Sequence, residues 1–374
     1  MSETVTLRRM IVDYRLMMVT DPTHVGTLEN ALHGLKETSG ELDLDMSYEI
    51  SELEKDIVYL REGEDALMAH LAKLHDGFDE EVAATVAYLQ DMPRHLFITD
   101  RDGTVNNYCA RYRTSVQSVY NAVLLTLYAR NRAHKPVILT SAPLEPEGIM
   151  EVMTTPRHTF IIAGSKGREF YDQELNRHEI PIPEHQRQVM ERLNEELEKL
   201  VSKNRYQRFT QIGSGLQKKY GQTAISYQDV GKSIDQEKSK AFRDKVIELV
   251  ERSDPEKRTL HVEDTGRDLE IILSATGNGS DSPRDFDKAD GVRFIDGEVP
   301  LGIGETPALV CGDTASDIPM LEYVARTSPD SRTILVTRDR TLINKTKKSL
   351  PELHVVSTPD SLVAALGRLG GSTT

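Results

Sequence analysis

The stretch Arg94-His-Leu-Phe-Ile-Thr-Asp-Arg-Asp-Gly-Thr104 reads as an apolar strand that runs straight into two aspartates one residue apart and a Gly-Thr turn. Side chains alternate between the two faces of a strand, so Asp100 and Asp102, two residues apart, start on one face and can converge on one ligand where the strand ends and the chain bends. Gly103 supplies that bend without steric cost. The pair suits phosphomonoester chemistry, in which one carboxylate attacks phosphorus while the other protonates the departing alkoxide and later activates water. Two anions repel an anionic phosphate unless a cation lies between them. A hard metal is implied, Mg²⁺, held by carboxylate and carbonyl oxygens.

Three further stations follow in order. Lys135-Pro-Val-Ile-Leu-Thr-Ser-Ala142 is a short apolar strand ending in hydroxyls. Thr140, or Ser141 in its place, can hydrogen-bond a phosphate oxygen at the carboxyl end of the strand, where open α/β sheets bind ligands. Asp285-Phe-Asp-Lys-Ala-Asp-Gly291 carries Lys288 in an acidic, glycine-flanked loop, and its ammonium can neutralise the nucleophile and the transferring phosphoryl group. Pro307-Ala-Leu-Val-Cys-Gly-Asp-Thr-Ala-Ser-Asp317 sets Asp313 at a strand tip as a metal ligand, with Asp317 one helical turn later.

Together the four stations resemble the haloacid dehalogenase superfamily of phosphohydrolases. The resemblance narrows at Asp100-Arg-Asp-Gly-Thr-Val-Asn-Asn-Tyr-Cys109, Val137-Ile-Leu-Thr-Ser-Ala-Pro-Leu144 and Ala163-Gly-Ser-Lys-Gly-Arg-Glu169. These look like the trehalose-6-phosphate phosphatases, in particular the long form with a helical N-terminal extension known from nematodes and some bacteria. The resemblance implies an α/β fold: a HAD-type Rossmann-like parallel sheet core, an inserted α/β cap of the C2 type, and an N-terminal all-α module. It implies a phosphoric monoester hydrolase that uses Mg²⁺ and an aspartyl-phosphate to convert trehalose 6-phosphate into trehalose and inorganic phosphate. Asp100 would attack and Asp102 would carry the proton, with Thr140 and Lys288 on the phosphoryl oxygens. Asp100, the backbone carbonyl of Asp102 and Asp313 would bind the metal, and Asp317 would orient its shell. Lys166, Arg168, Gln217, Lys219, Tyr227 and Glu270 would face the sugar.

The chain departs from the familiar bacterial form at Lys166, where that form has histidine, at Ser226-Tyr-Gln228, where it has His-Tyr-Arg, and in a less acidic Asp313-Thr-Ala-Ser-Asp317. These changes leave hydrolysis intact and the sugar open. Sucrose 6-phosphate, glucosylglycerol phosphate and mannosyl-3-phosphoglycerate are the alternative substrates. A phosphomutase of the same superfamily is an alternative reaction, and a non-catalytic sugar-phosphate sensor is the remotest reading.

Spacing argues for a cap without the family's help. About 150 residues separate Thr140 from Lys288, whereas a parallel crossover needs only a dozen or so. An inserted unit is expected over residues 183–278, dividing a core made of 93–182 and 279–374. It opens with a helix, Glu184 to Lys203, whose Val189, Leu193, Leu197 and Leu200 recur at helical spacing. Strand-like runs at Tyr206–Ile212, Thr223–Tyr227, Thr259–Val262 and Leu269–Leu273, with a helix near Lys240–Arg252, predict two helices on one face of an antiparallel sheet.

Residues 1–92 are a different object. Up to residue 94 the chain has 8 Lys and Arg against 20 Asp and Glu, a net of −12 out of the whole chain's −14. Such acidity excludes nucleic acid and anionic membrane as partners. Ile50, Leu53, Ile57, Leu60, Leu67, Leu71 and Leu74 step by threes and fours with an interruption at Glu64, which predicts a helical hairpin or short coiled coil. Phe78, Val82, Val86 and Leu89 predict another helix, and one from about Leu7 to Val19 should stop before Pro22. The module is expected to fold on its own, apart from the chemistry, and to offer a homodimer or partner-protein interface. Two cysteines, Cys109 and Cys311, make no disulfide framework. With no apolar run of membrane length and no signal-type h-region, a cytoplasmic protein acting on a small-molecule sugar phosphate is the expectation.

Overall fold

The computed structural model describes every residue except 1, 20, 43, 44, 110, 230, 275–285 and 372–374. The chain begins with five helices: α1 (Ser2–Leu16), α2 (Pro22–Leu42), α3 (Ser47–Glu62), α4 (Glu64–Leu74) and α5 (Phe78–Leu89). The first helix starts earlier and stops sooner than the expected Leu7–Val19, and Pro22 is itself the first residue of α2, where its missing N–H costs nothing. Asp21 Oδ1 accepts from the Thr23 amide at 2.9 Å and the Thr23 hydroxyl at 2.7 Å. The heptad-like series breaks into α3 and α4 at Gly63, whose φ of +89° turns the chain, so the apolar stripe forms a hairpin instead of one long coil.

Next come β1 (His95–Thr99), α6 (Val119–Arg132), β2 (Ala133–Leu139), α7 (Ile149–Val152), β3 (Ile161–Gly164), β4 (Glu169–Tyr171) and β5 (Arg177–Glu179). The inserted unit follows as α8 (Glu184–Val201), β6 (Leu216–Lys219), β7 (Gln222–Ser226), α9 (Gln236–Ser253), β8 (Leu260–Asp264) and β9 (Asp268–Leu273). Its strands form an antiparallel sheet in the order β6-β7-β9-β8. Leu193 and Leu197 of α8 and Phe242 and Val246 of α9 close one core with Ile225, Leu269 and Ile271. The predicted strand at Tyr206–Ile212 is instead a 3₁₀ turn, Gln207–Thr210. Phe209 stacks on Phe242 with ring centroids 3.8 Å apart, so its aromatic residue seals the helical layer rather than a strand pair. The edge strand β6 reads Leu-Gln-Lys-Lys, polar enough to escape a hydrophobic pattern and suited to an edge. The expected boundary at 278/279 falls outside the described residues.

The chain then returns through α10 (Lys288–Glu298), β10 (Ala308–Gly312), α11 (Ile318–Thr327), β11 (Arg332–Val336), α12 (Arg340–Ser349), β12 (His354–Val356) and α13 (Pro359–Gly370). Among the described residues the main sheet has the order β12-β11-β10-β1-β2-β3-β4-β5. The first six of these strands are parallel, and the β3–β4 and β4–β5 pairings are antiparallel, so β4 alone runs against the rest. β1 and β10 are buried along their whole length, which is why they read as unbroken apolar runs instead of alternating ones. From β1 the chain winds outward to one side, and from β10 to the other. The crevice at their carboxyl ends is the topological switch point where ligands bind in such sheets.

The N-terminal helices have no separate core. Ile11, Val12, Leu53, Leu67, Leu71, Phe78 and Val82 pack in one continuous cluster with Tyr120, Val123 and Leu124 of α6 and Leu362 and Leu366 of α13. Polar groups join the same interface. Asp56 of α3 accepts from the Val119 amide at 2.7 Å and the Tyr120 amide at 3.3 Å, capping α6 from outside, and Arg8 Nε holds its other oxygen at 2.9 Å. Lys55 lies 2.5 Å from Glu52 and 3.2 Å from Asp360 at the start of α13, while His75 Nε2 is 2.7 Å from Asp360. This shared interior corrects the expectation of an independently folding module.

Candidate active site

The pairing of β1 with β10 places the two ends of the site side by side. Beyond the last paired residues, the Asp100 amide donates to the Cys311 carbonyl at 3.0 Å, which carries Asp100 up to Asp313. Gly103 has a φ of +91°, and a Cβ there would stand 2.1 Å from an Asp313 carboxylate oxygen. Only glycine lets the turn close on the neighbouring strand. The Thr104 hydroxyl lies 3.1 Å from Asp100 and 3.2 Å from Asp313.

Lys288 does not sit in a loop, as expected, but opens α10. Asp287 caps that helix by accepting from the Ala289 and Asp290 amides, which fixes the direction in which Lys288 leaves. Its ammonium lies 2.5 Å from both Asp100 Oδ1 and Asp317 Oδ1 and is buried. Burial by itself would depress the lysine, but the two carboxylates overcome it and hold the group above its ordinary range. Burial pushes Asp100 up to about 6, against the pull of Lys288. Burial first, and the Asp100 and Asp317 charges next, push Asp313 up to about 9. Asp317 is held below its usual range despite burial, because Lys288 and the Thr314 and Asp313 amides favour its charged form.

Asp100, Asp313 and Asp317 each offer an oxygen, all within 4.8 Å of one another. Three carboxylates against one ammonium leave excess negative charge on an all-oxygen donor set, which fits a hard divalent cation. Asp317 contributes least to such a set, since one oxygen is bonded to Lys288 and the other accepts from two backbone amides.

Asp102 points to the opposite wall. Its Oδ1 is 2.5 Å from Arg101 Nη1 and 2.8 Å from the Ser115 hydroxyl, and Arg101 also donates to the Ser115 carbonyl. Neither Arg101 nor Ser115 was singled out from sequence. Arg101 lies inside the quoted motif and Ser115 is brought near by a loop no local pattern reveals.

One cleft is lined by Asp100, Asp102, Thr140, Ser141, Lys288 and Asp313 on the core side and by Gln217, Lys219 and Glu270 on the cap side. The Thr140 hydroxyl accepts from the Ala142 amide at 3.2 Å, which orients it at the strand end. Burial, and then Lys166 and Arg168, lower Lys219 against the pull of Glu270. The other sugar-facing expectations fare differently. Lys166 reaches Glu270 at 3.9 Å and stays outside the cleft lining. Arg168 is buried, donates to the Gly221 carbonyl at 3.3 Å and stacks on Phe286, tying the β6–β7 turn to the core. Tyr227 packs in the cap core and its hydroxyl donates to Asp264 at 2.5 Å, because its position faces the helices and not the cleft. Tyr108 and Tyr112, missed from sequence, line the cleft, and Tyr108 is 66% exposed. Tyr108 lies within the run Asp100–Cys109, but only the fold shows its exposure.

Comparison with known proteins places this geometry. Residues 97–362 match the family described as trehalose-6-phosphate phosphatase, C-terminal. A trehalose-phosphatase of Caenorhabditis briggsae is 31% identical over 314 residues, covering 79% of this chain and 70% of that one. An alpha,alpha-trehalose-phosphate synthase [UDP-forming] 1 of Aphelenchoides avenae is 32% identical over 308 residues, again 79% of this chain but 26% of the relative. The chain thus spans about a quarter of the length of these synthase relatives. Among solved structures, the C. albicans trehalose-6-phosphate phosphatase C-terminal domain shares the fold, with a TM-score of 0.51 at 14% identity, covering 78% of this chain and 97% of that domain. A trehalose-6-phosphate phosphatase related protein gives the same TM-score at 16% identity, covering 74% and 96%.

Proposed function

The chain belongs to the trehalose-6-phosphate phosphatase family, and from that premise we propose that it hydrolyses a sugar phosphate to the free sugar and inorganic phosphate, with trehalose 6-phosphate as the preferred substrate. The observation that carries this reading is the meeting of Asp100, Lys288 and Asp313 at the switch point, facing Gln217, Lys219 and Glu270 of the cap. In this reading residues 93–182 and 279–374 form the catalytic core and 183–278 the cap.

Asp100 attacks phosphorus in line, forming an aspartyl-phosphate as the sugar oxygen departs. Asp102 gives that oxygen its proton and then takes one from the attacking water. Lys288 and Thr140 hold the phosphoryl oxygens. Lys288 already neutralises Asp100, so the nucleophile meets an anionic substrate with its charge offset. Asp100, the backbone carbonyl of Asp102 and Asp313 would hold Mg²⁺, with Asp317 orienting that shell; when bound, the ion supplies positive charge where phosphate oxygens gather. Gln217, Lys219 and Glu270 present two polar groups of opposite charge and an amide to the sugar hydroxyls.

A phosphate-release screen tests the reading. Trehalose 6-phosphate should be the best substrate among it, sucrose 6-phosphate, glucose 6-phosphate, glucosylglycerol phosphate and mannosyl-3-phosphoglycerate. Turnover should vanish in excess chelator and return with Mg²⁺. Equal turnover of all five sugars would remove trehalose from the proposal, and full turnover in chelator would remove the metal.

A further inference from the structure

We propose that α3, in the N-terminal third, positions Asp102 through a chain of three hydrogen-bonded side chains, Tyr48, Asn106 and Ser115; this rests on the reading of Asp102 as the proton carrier. The order of donors is dictated by chemistry. The Tyr48 hydroxyl donates to the Val116 carbonyl at 3.0 Å, so toward Asn106 it can only accept, and Asn106 Nδ2 lies 3.1 Å from it. The same amide nitrogen is 3.2 Å from Ser115 Oγ and 3.0 Å from the Asn107 carbonyl, so its two hydrogens are shared among three acceptors. Ser115 Oγ also lies 3.2 Å from Arg101 Nη1, so its lone pairs are engaged and its single proton goes to Asp102 Oδ1 at 2.8 Å.

Asn106, Ser115 and Arg101 are each 1% exposed, so the middle of the chain is shielded from water, while Tyr48 and Asp102 at its two ends are half-buried. Both contacts to Asp102 fall on Oδ1, and among the described residues Oδ2 makes none. The chain therefore selects which oxygen faces the cleft. A second tether runs beside it. Asn107 Nδ2 lies 3.0 Å from Glu52 of α3 and 2.8 Å from Asp360 of α13. The turn that follows the nucleophile is thus held on its outer side by an element with no catalytic group of its own.

The reaction offers a readout that a purely structural role would not move. A sugar alkoxide needs a proton to leave, whereas p-nitrophenolate does not, and kcat/KM covers binding and phosphoryl transfer to the enzyme up to that departure. In the full-length chain, Tyr48→Phe should lower kcat/KM for the sugar phosphate by about fivefold to tenfold, through kcat with KM unchanged, and for p-nitrophenyl phosphate by less than about twofold. Ser115→Ala should give the same contrast more strongly, and the double variant should be no worse than Ser115→Ala, because the two residues act in series. Equal losses on both substrates, or additive losses in the double variant, would overturn the proposal. Should Tyr48→Phe melt too low to assay, Asn106→Ser cuts the chain in its middle, and equal losses there overturn it as well. Asp102→Asn is the reference. If it does not discriminate between the substrates, the role of Asp102 is wrong; if it discriminates and the other variants do not, only the positioning chain is wrong.

Discussion

Lys288 divides its ammonium between Asp100 and Asp317, and this division makes Asp100, the proposed nucleophile, separable from the fold. In Asp100→Asn the amide keeps the shape of the side chain, and Lys288 keeps Asp317 as its counter-ion. The variant should melt near the parent temperature and lose turnover almost entirely; residual phosphate release above about a tenth of the parent rate, under 1.4 kcal/mol on the barrier, would exclude Asp100 as nucleophile. At this scale the core side of the cleft was legible in the sequence, because each of its residues stands at the end of a buried strand or opens the helix that follows the insertion. Asp100, Thr140 and Asp313 are fixed by strand order alone. The cap side was less legible. Tyr227 was placed toward the sugar, yet its ring belongs to the interior of the cap, and Arg168 proved to be a strut. A charged or aromatic residue on a lid sheet carries no mark of which face it takes until the register of the strands is known.

The helices α3, α6 and α13 meet around a buried charge cluster whose members come from distant parts of the chain. Asp360 accepts from Lys55, His75, Asn107 and the Tyr120 hydroxyl. Burial raises its affinity for a proton, but Lys55 first and these hydrogen bonds next outweigh burial, and the folded-state value lies below the ordinary one. The stabilisation is therefore fully present above the unfolded value, about 3.9, and drains away as pH falls below about 4. Urea titrations at several pH values should show a steeper acid loss for the parent than for Asp360→Asn. At neutral pH the variant should be destabilised by about 2 kcal/mol, since buried Lys55 loses one of its two carboxylate partners and keeps only Glu52. Identical acid slopes would show that Asp360 contributes nothing to them. Sequence patterns found α5, α8, α9 and the central strands, whose apolar periodicity is strong. They missed α2, whose apolar residues are sparse, and made a strand of Gln207–Thr210, where the packing of Phe209 on α9 overrode local propensity.

Across the whole molecule one apolar interior runs from α1 to α13, so the acidic N-terminal quarter cannot be treated as an appendage. Removing residues 1–90 would bare Tyr120, Val123, Leu362 and Leu366, uncap α6 and leave Asp360 without Lys55 and His75. The truncated protein should aggregate on size exclusion and show no cooperative melt. A monodisperse fragment with turnover within about tenfold of the parent, 1.4 kcal/mol, would show instead that the core sustains itself. No helix among the described residues is long and apolar enough to cross a membrane. The sequence order of the main sheet has a further consequence, for the ribosome. The central strand β1 ends at Thr99, and its partner β10 starts at Ala308, 209 residues later. At about 5–20 residues per second, β1 waits roughly 10 to 40 s of synthesis with one flank unpaired, while the cap emerges between the two halves of the site. For that interval the nascent chain exposes an apolar strand edge, a target for chaperones and for neighbouring chains on the same message.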